Sequence, residues 1–324
     1  MHCWTKQFSS SKGRPYIIVY YNAGGLRLKI NADLFTTEFE KFFNFNLLKE
    51  YFSFTQHQDR LNYLINSNLI SSQHTVIGYD SNNELAYVLM FPNLDRNFFN
   101  HNIMLVSHID DVYEKNAKRM RKTKRNISIE QGQDGFILFS DYENGLGLGA
   151  DDGLGVLSSI FIYHLFVKYD YEKTPIILIC NYEESGGKGA RRFCHDVMNG
   201  KLSEIITKND VNKLTYMIEL DRMGCKDCVF YNYEPHEFKE YIESFGFKEA
   251  LGSFSDISVL GDYFNQCSVN LSIGYFNNHN SIKEFAYLAC TKETLYKVIN
   301  MIYDNNERKK IWVNYNNKKD FRIR

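Results

Sequence analysis

Three short runs in this chain, Asn102–Ser107, Ile176–Cys180 and Tyr216–Glu219, are rich in apolar residues but do not alternate. A strand with one face in water alternates polar and apolar side chains. Runs without alternation therefore fit strands buried on both faces, inside a sheet covered by helices. Val269–Ile273 alternates more but is also strand-like. Helical periodicity fills the intervals at Gly153–Val167, Gly189–Met198 and Thr291–Tyr303. Buried strands alternating with helices predict an α/β fold: a three-layer α/β/α sandwich around a mixed, mostly parallel central sheet. A chain of 324 residues can bury one large core, or one core with an appendage.

Before the first buried run the texture differs. Tyr16–Tyr21 and Leu26–Ile30 flank the turn Asn22-Ala23-Gly24-Gly25 and read as a hairpin that extends the core. Thr36–Phe54 is aromatic-rich and predicted helical, Gln56–Asn66 forms a short amphipathic helix, and His74–Tyr79 pairs with Leu85–Phe91 as a second hairpin. The expected organisation is an N-terminal extension over residues 1–45 and a single α/β domain over residues 46–324.

Charge and cysteine content exclude several classes. With 38 basic and 39 acidic side chains, nothing global favours a nucleic-acid or other polyanion partner. No secretory leader is visible, and no stretch approaches the roughly 18 apolar residues of a membrane span. Seven cysteines, an odd number scattered through the chain, read as reduced thiols in a cytoplasmic protein. The seven basic residues within Lys115–Arg125 read as a solvated loop rather than a binding rim.

In α/β folds functional side chains gather at the carboxyl ends of the strands. After the first buried run come His108 and Asp110. After the Gly-rich turn Gly145–Ala150 come Asp151 and Asp152, opening a helix. After Ile176–Cys180 come Glu183 and Glu184, after Tyr216–Glu219 comes Asp221, and after Val269–Ile273 comes His279. Two imidazoles and several carboxylates converging in a fold imply a cation, because unpaired carboxylates repel one another and are costly to desolvate. Imidazole with carboxylate oxygen suits zinc, and manganese or cobalt less often. Five such residues exceed the need of one tetrahedral ion and suffice for two if one carboxylate bridges.

The ordered set His108-x-Asp110, Gly149-Ala-Asp-Asp-Gly153, Glu183-Glu-Ser-Gly-Gly187 with Lys188-Gly-Ala190, Leu220-Asp221 and a late His279 resembles the co-catalytic zinc peptidases. These include the tripeptidase T and carboxypeptidase G types, the single-domain zinc aminopeptidases and the tetrahedral aminopeptidases. The resemblance spans roughly Phe54–Ile302. It implies that Asp151 bridges two divalent ions, most often zinc, and that its peptide bond to Asp152 is cis. It implies that His108 and Asp221 complete one ion and Glu184 and His279 the other. Glu183 would be the general base and Asp110 would orient His108. The implied activity is hydrolysis of a peptide or N-acyl bond in a peptide or acyl-amino-acid substrate, of the exopeptidase kind. Only 57 residues separate Asp221 from His279, too few for the lid and dimerisation domain that the tripeptidase T type inserts there. Loops, with Val112–Asp134 and Met223–Phe254 as candidates, would have to close the pocket. Arg222 is a candidate for binding a substrate carboxylate, and Asp256 for a substrate contact or a contact supporting the ligands.

Other readings weigh less. Gly145-x-Gly147-x-x-Ala150 superficially matches a dinucleotide fingerprint, but the helix start that would receive a pyrophosphate carries Asp151 and Asp152, which repel phosphate. Cys225-x-x-Cys228 has no second Cys-x-x-Cys to complete a zinc site and reads as coincidence. His57, His74 and His164 read as ordinary surface or core histidines, and His236 follows no buried strand. A catalytically inactive metal-binding scaffold is the alternative in another class. The presence of Glu183, which structure alone does not need, argues against it.

Overall fold

The computed structural model describes residues 19–22, 25–28, 31–71, 74–92, 102–133, 135–140, 145–232 and 234–304. Of the N-terminal hairpin, Arg14 and residues 16–18, 23–24 and 29–30 lie outside the described residues, as does residue 134. Strands β1 (Val19–Asn22) and β2 (Gly25–Leu28) pair antiparallel, as their sequence predicts. Three helices follow: α1 (Ala32–Phe42), α2 (Phe45–Ser53) and α3 (His57–Asn66). The single helix expected over Thr36–Phe54 is thus two. The break falls at Asn44, whose side chain accepts from the Leu47 N–H and caps α2. Phe35, Phe39 and Phe43 pack on Phe161, so the first helix belongs to the main core.

Next come the antiparallel pair β3 (Thr75–Tyr79) and β4 (Leu85–Met90), then β5 (Ile103–His108), α4 (Glu114–Met120), β6 (Ile127–Gln131) and β7 (Phe136–Ser140). Then follow α5 (Ala150–Tyr169), β8 (Ile176–Cys180), α6 (Lys188–Met198), α7 (Lys208–Lys213) and β9 (Tyr216–Arg222). The described chain ends with β10 (Asp227–Val229), α8 (His236–Glu243), β11 (Lys248–Glu249), α9 (Asp256–Phe264), β12 (Ser268–Ser272), β13 (Tyr275–Phe276), β14 (Phe285–Tyr287) and α10 (Leu288–Tyr303).

The main sheet has eight strands in the order β11-β10-β12-β9-β5-β8-β4-β3. Its centre, β12-β9-β5-β8, is parallel, and β4 and β3 join antiparallel at one side. Every residue of β5, β8 and β12 is buried, which explains the absence of alternation in β5 and β8; in β12 the alternating Ser268, Asn270 and Ser272 are buried as well. Two apolar clusters flank the sheet, one built on α5 and α10 and the other on α6 and α9. Helix α5 is long and apolar enough to cross a membrane by length and composition, but it is almost wholly enclosed in this core. A second sheet, β13-β14-β7-β6, is all antiparallel and was not legible in the sequence. Its strands are short and half-buried, so neither periodicity is sustained over enough residues to read.

Two sequence expectations need correction. The cysteines are not all reduced: Cys225, in the turn after β9, is bonded to Cys290 at the start of α10, 65 residues away. Only the fold brings them within reach, and spacing cannot report such a pair. Cys228 is free and buried, so the Cys-x-x-Cys spacing is indeed coincidental. Nor is Lys115–Arg125 wholly a solvated loop. Its first half is α4, and Arg125 is buried, donating to the Leu146 and Gly147 carbonyls and to Asp111. Arg60, fully buried, donates to the same Asp111 oxygen at 2.9 Å. Gly149 (φ +68°) leaves the space that these two guanidinium groups occupy. One carboxylate therefore holds two buried cations against the loop that leads into α5. Removing one partner of a buried ion pair leaves charge with no compensation. Asp111→Ala is expected to lower unfolding free energy by roughly 3–5 kcal/mol in urea titrations; a loss under about 1 kcal/mol would contradict the pairing.

Candidate functional site

Strands β9, β5 and β8 lie side by side and parallel, so their carboxyl ends sit about 4.8 Å apart. His108 is the last residue of β5, Asp221 the penultimate residue of β9, and Glu183 and Glu184 form a single helical turn just after β8. Asp151 stands at the start of α5, where its backbone and that of Asp152 are not yet helical and the peptide between them is cis. His279 comes from the connection between β13 and β14, so the second sheet supplies the residue farthest from the main one.

The side chains of His108, Asp151, Glu184, Asp221 and His279 meet. Asp151 Oδ1 lies 3.2 Å from His108 Nε2, whose next neighbour is Asp221 Oδ1 at 3.6 Å. Asp151 Oδ2 lies 3.3 Å from His279 Nε2, which is 3.0 Å from Glu184 Oε1. Two sets with all donor atoms mutually within 4.8 Å result: His108–Asp151–Asp221 and Asp151–Glu184–His279. One carboxylate thus serves both sets, with a different oxygen turned to each. His108, Glu183 and Glu184 make a third close set, and Glu183 Oε2 is 4.0 Å from His108 Nε2. His236 is an exposed residue on α8 facing Glu240 and belongs to none of these sets. The donor set, imidazole and carboxylate in two overlapping groups, fits a pair of divalent cations of the zinc type.

Supporting residues fix each donor. Asp110 has a dual role: its Oδ1 is 3.4 Å from His108 Nδ1, and its two oxygens accept the Glu183 and Glu184 backbone N–H groups. Asp152 accepts the His108 N–H and the Gly155 N–H, tying β5 to the start of α5. Tyr275 donates to Asp221, and the Asn278 side chain to Asp151. Three buried carboxylates escaped the sequence reading. Glu284, five residues after His279, accepts the backbone N–H groups of Leu148, Gly149 and Ala150 and so closes the start of α5. Glu219 accepts from Ser255 Oγ and from the Ile257 N–H. Asp111 braces the same loop from the other side. None stands in a motif, and no signal in the sequence marks them. Asp256 is fully buried and is not among the residues that line the cavity adjoining the donors.

The adjoining cavity, about 300 Å³, is lined by Asp151, Glu184, Asp221 and His279 together with Glu183, Arg222, Met223, Tyr231, Ser253, Phe254 and Tyr275, among others. The segment Met223–Phe254 contains β10, α8 and β11, and it gives Met223, Tyr231, Gly252, Ser253 and Phe254 to the cavity wall. Val112 instead lines a neighbouring cavity that shares Glu184 with the first.

No family model matches the sequence, and no curated protein matches it. Among solved structures, aminopeptidase PepT from Bacillus cereus superposes with a TM-score of 0.52 at 13% identity, over 85% of this chain and 98% of that one. The TET aminopeptidase from the marine sediment archaeon Thaumarchaeota archaeon SCGC AB-539-E09 gives 0.53 at 12% identity, over 82% and 97%. The glutaminyl cyclase of Tannerella forsythia gives 0.50 at 14% identity, over 86% and 100%. The chain has the fold that these proteins share. Identities this low establish architecture and leave the chemistry to the residues.

Electrostatics show what so many acids cost without a cation. Burial pushes Glu183 up to about 9, with repulsion from Asp221 adding to it. Burial and the neighbouring Asp151 push Asp221 well above the usual carboxylate range. Burial likewise raises Glu219 and Glu284 to about 7. Hydrogen bonds to Asp151 and Glu184 raise His279 to about 10. Burial works against a charged His108, but Asp221, Asp110 and Asp151 outweigh it and hold its pKa well above the ordinary value. Each of these groups binds its proton more tightly in the folded chain. Each thus stabilises the fold below its unfolded pKa and loses that contribution as pH rises. The window runs from the ordinary 4.5 of the glutamates to about 9. The chelator-treated protein is therefore expected to lose thermal stability steadily from pH 5 to pH 9. Added zinc should raise Tm more at pH 8 than at pH 6, since protons compete for the same donors. Differential scanning fluorimetry across that range checks both. A zinc shift that is larger at the lower pH would contradict the donor assignment.

Proposed function

We propose that the chain is a metallohydrolase that cleaves a peptide or N-acyl amide bond with two divalent cations, most favourably zinc, held in one site. The observation that carries the reading is the position of Asp151, one oxygen facing His108 and Asp221 and the other facing His279 and Glu184. A carboxylate so placed is the bridge that a two-ion centre requires. In this reading His108 and Asp221 complete one ion, and Glu184 and His279 the other. When bound, the cations would polarise the scissile carbonyl and favour deprotonation of the attacking water.

The chain's own residues supply the rest. Glu183 lies beside both sets without being needed to complete either, and its backbone is fixed by Asp110. Its carboxylate takes a proton from the attacking water as the new C–O bond forms. It returns that proton to the departing nitrogen as the C–N bond breaks. Burial, with repulsion from Asp221 adding to it, raises the Glu183 pKa, and nearby positive charge would lower it again and favour the carboxylate form that a base needs. His108 keeps its orientation through Asp110 and through the backbone contact to Asp152.

The competing reading, a metal-binding scaffold without activity, predicts that Glu183 is dispensable. Glu183→Gln keeps the shape of the side chain and removes the base. It is expected to leave metal content unchanged and to lower kcat on aminoacyl and acyl-amino-acid substrates by at least about 100-fold. Elemental analysis together with steady-state assays of the zinc-, manganese- and cobalt-loaded protein decides between them. Activity within a few-fold of wild type in the variant would remove the proposed base.

A further inference from the structure

The lining of the catalytic cavity carries an asymmetry of charge. Its carboxylates are Asp151, Glu183, Glu184 and Asp221, and on the reading above all four are engaged as ligands or as the base. Two divalent cations would balance them. Arg222 is then the one remaining full charge on the described lining, where it is the only Arg or Lys. It is the last residue of β9, directly after Asp221, so its backbone is fixed by the sheet. Its Nε is buried and has no hydrogen-bond partner among the described residues. Its one ionic contact among the described residues is long, 3.8 Å from Nη2 to Asp227, a carboxylate that is itself about half exposed. A guanidinium held this way has donors to spare. The described lining also offers Tyr231 and Ser253, and beyond the four engaged carboxylates it holds none that could receive an ammonium group.

We infer that the substrate carries a carboxylate near the scissile amide, and that Arg222 receives it. This inference rests on the hydrolase reading for the location of the reacting bond. The pocket rejects a free amine at that position, because its only uncompensated charge is positive. Two substrates share the required chemistry: a peptide or N-acyl compound whose leaving amino acid ends in a free α-carboxylate, and one whose acidic side chain lies on the acyl side.

The test compares matched pairs on the zinc-loaded protein. N-acetyl amino acids set against their amides probe the α-carboxylate, while aspartyl and glutamyl anilides set against leucyl anilide probe the side chain. A charge-assisted pair with Arg predicts that kcat/KM favours the carboxylate form by about 10- to 100-fold in one of the two series. The favoured series identifies the source. In Arg222→Met the ratio should fall towards one, mainly through KM, and Arg222→Lys should restore part of it. Equal rates within both pairs, or preference for leucyl anilide, would overturn the inference. If the wild type cleaves nothing, the hydrolase reading fails. Calorimetric binding of an N-acetyl amino acid and its amide then decides the role of Arg222 separately. Preference for the acid that disappears in Arg222→Met sustains it, and equal or absent binding of both overturns it.

Discussion

Carboxylates do not gather in a protein interior without something positive between them. His108, Asp151, Asp221, Glu183 and Glu184 cluster in overlapping sets at the carboxyl ends of the parallel strands in the centre of the sheet, their side chains mostly shielded from water. Desolvation and mutual repulsion make such an assembly unfavourable when its acids are ionised. The raised pKa values of Glu183 and Asp221 follow from that burial and repulsion. The rest of the fold can be understood as the apparatus that holds these groups together regardless.

Much of that apparatus is devoted to the chain between β7 and α5. Glu284 takes the backbone N–H groups of Leu148–Ala150, Arg125 takes the carbonyls of Leu146 and Gly147, and Asp111 holds Arg125 and Arg60 in place. Asp151 is thus delivered from a segment whose backbone groups are paired with side chains from distant parts of the sequence. Glu284 and His279 share one connection of the second sheet, so the element that supplies a donor also fixes the helix start opposite it. The Cys225–Cys290 bond joins the turn after Asp221 to the helix following that connection. Positioning of this kind is what a metal site asks of a fold, since ligands must keep their geometry against their own repulsion.

The sheet and the donors were legible in the sequence because both obey local rules. Ile176–Cys180 is apolar throughout as it is covered on both faces, and the residue types following each such run are those that bind cations. What was not legible depends on long-range pairing. Arg125 reads as one of seven neighbouring basic residues, and only the fold reveals that Asp111 and two carbonyls bury it. Glu284 looks like a surface glutamate until the N–H groups it accepts are brought to it. The strands β13 and β14 are two and three residues long, below the length at which any periodicity can show. Cys225 was read against its near neighbour Cys228, whereas its partner lies 65 residues away.

Shared architecture with aminopeptidases and with a glutaminyl cyclase shows that this fold carries more than one chemistry, so the account rests on the donors. Its central claim is that Asp151 is common to two cation sites. The direct measurement is metal stoichiometry by elemental analysis on the purified, zinc-equilibrated protein. Two equivalents per chain are expected, with His108→Ala keeping one and Asp151→Ala losing tight binding of both. A single equivalent in the wild type, or a full complement in Asp151→Ala, would contradict it.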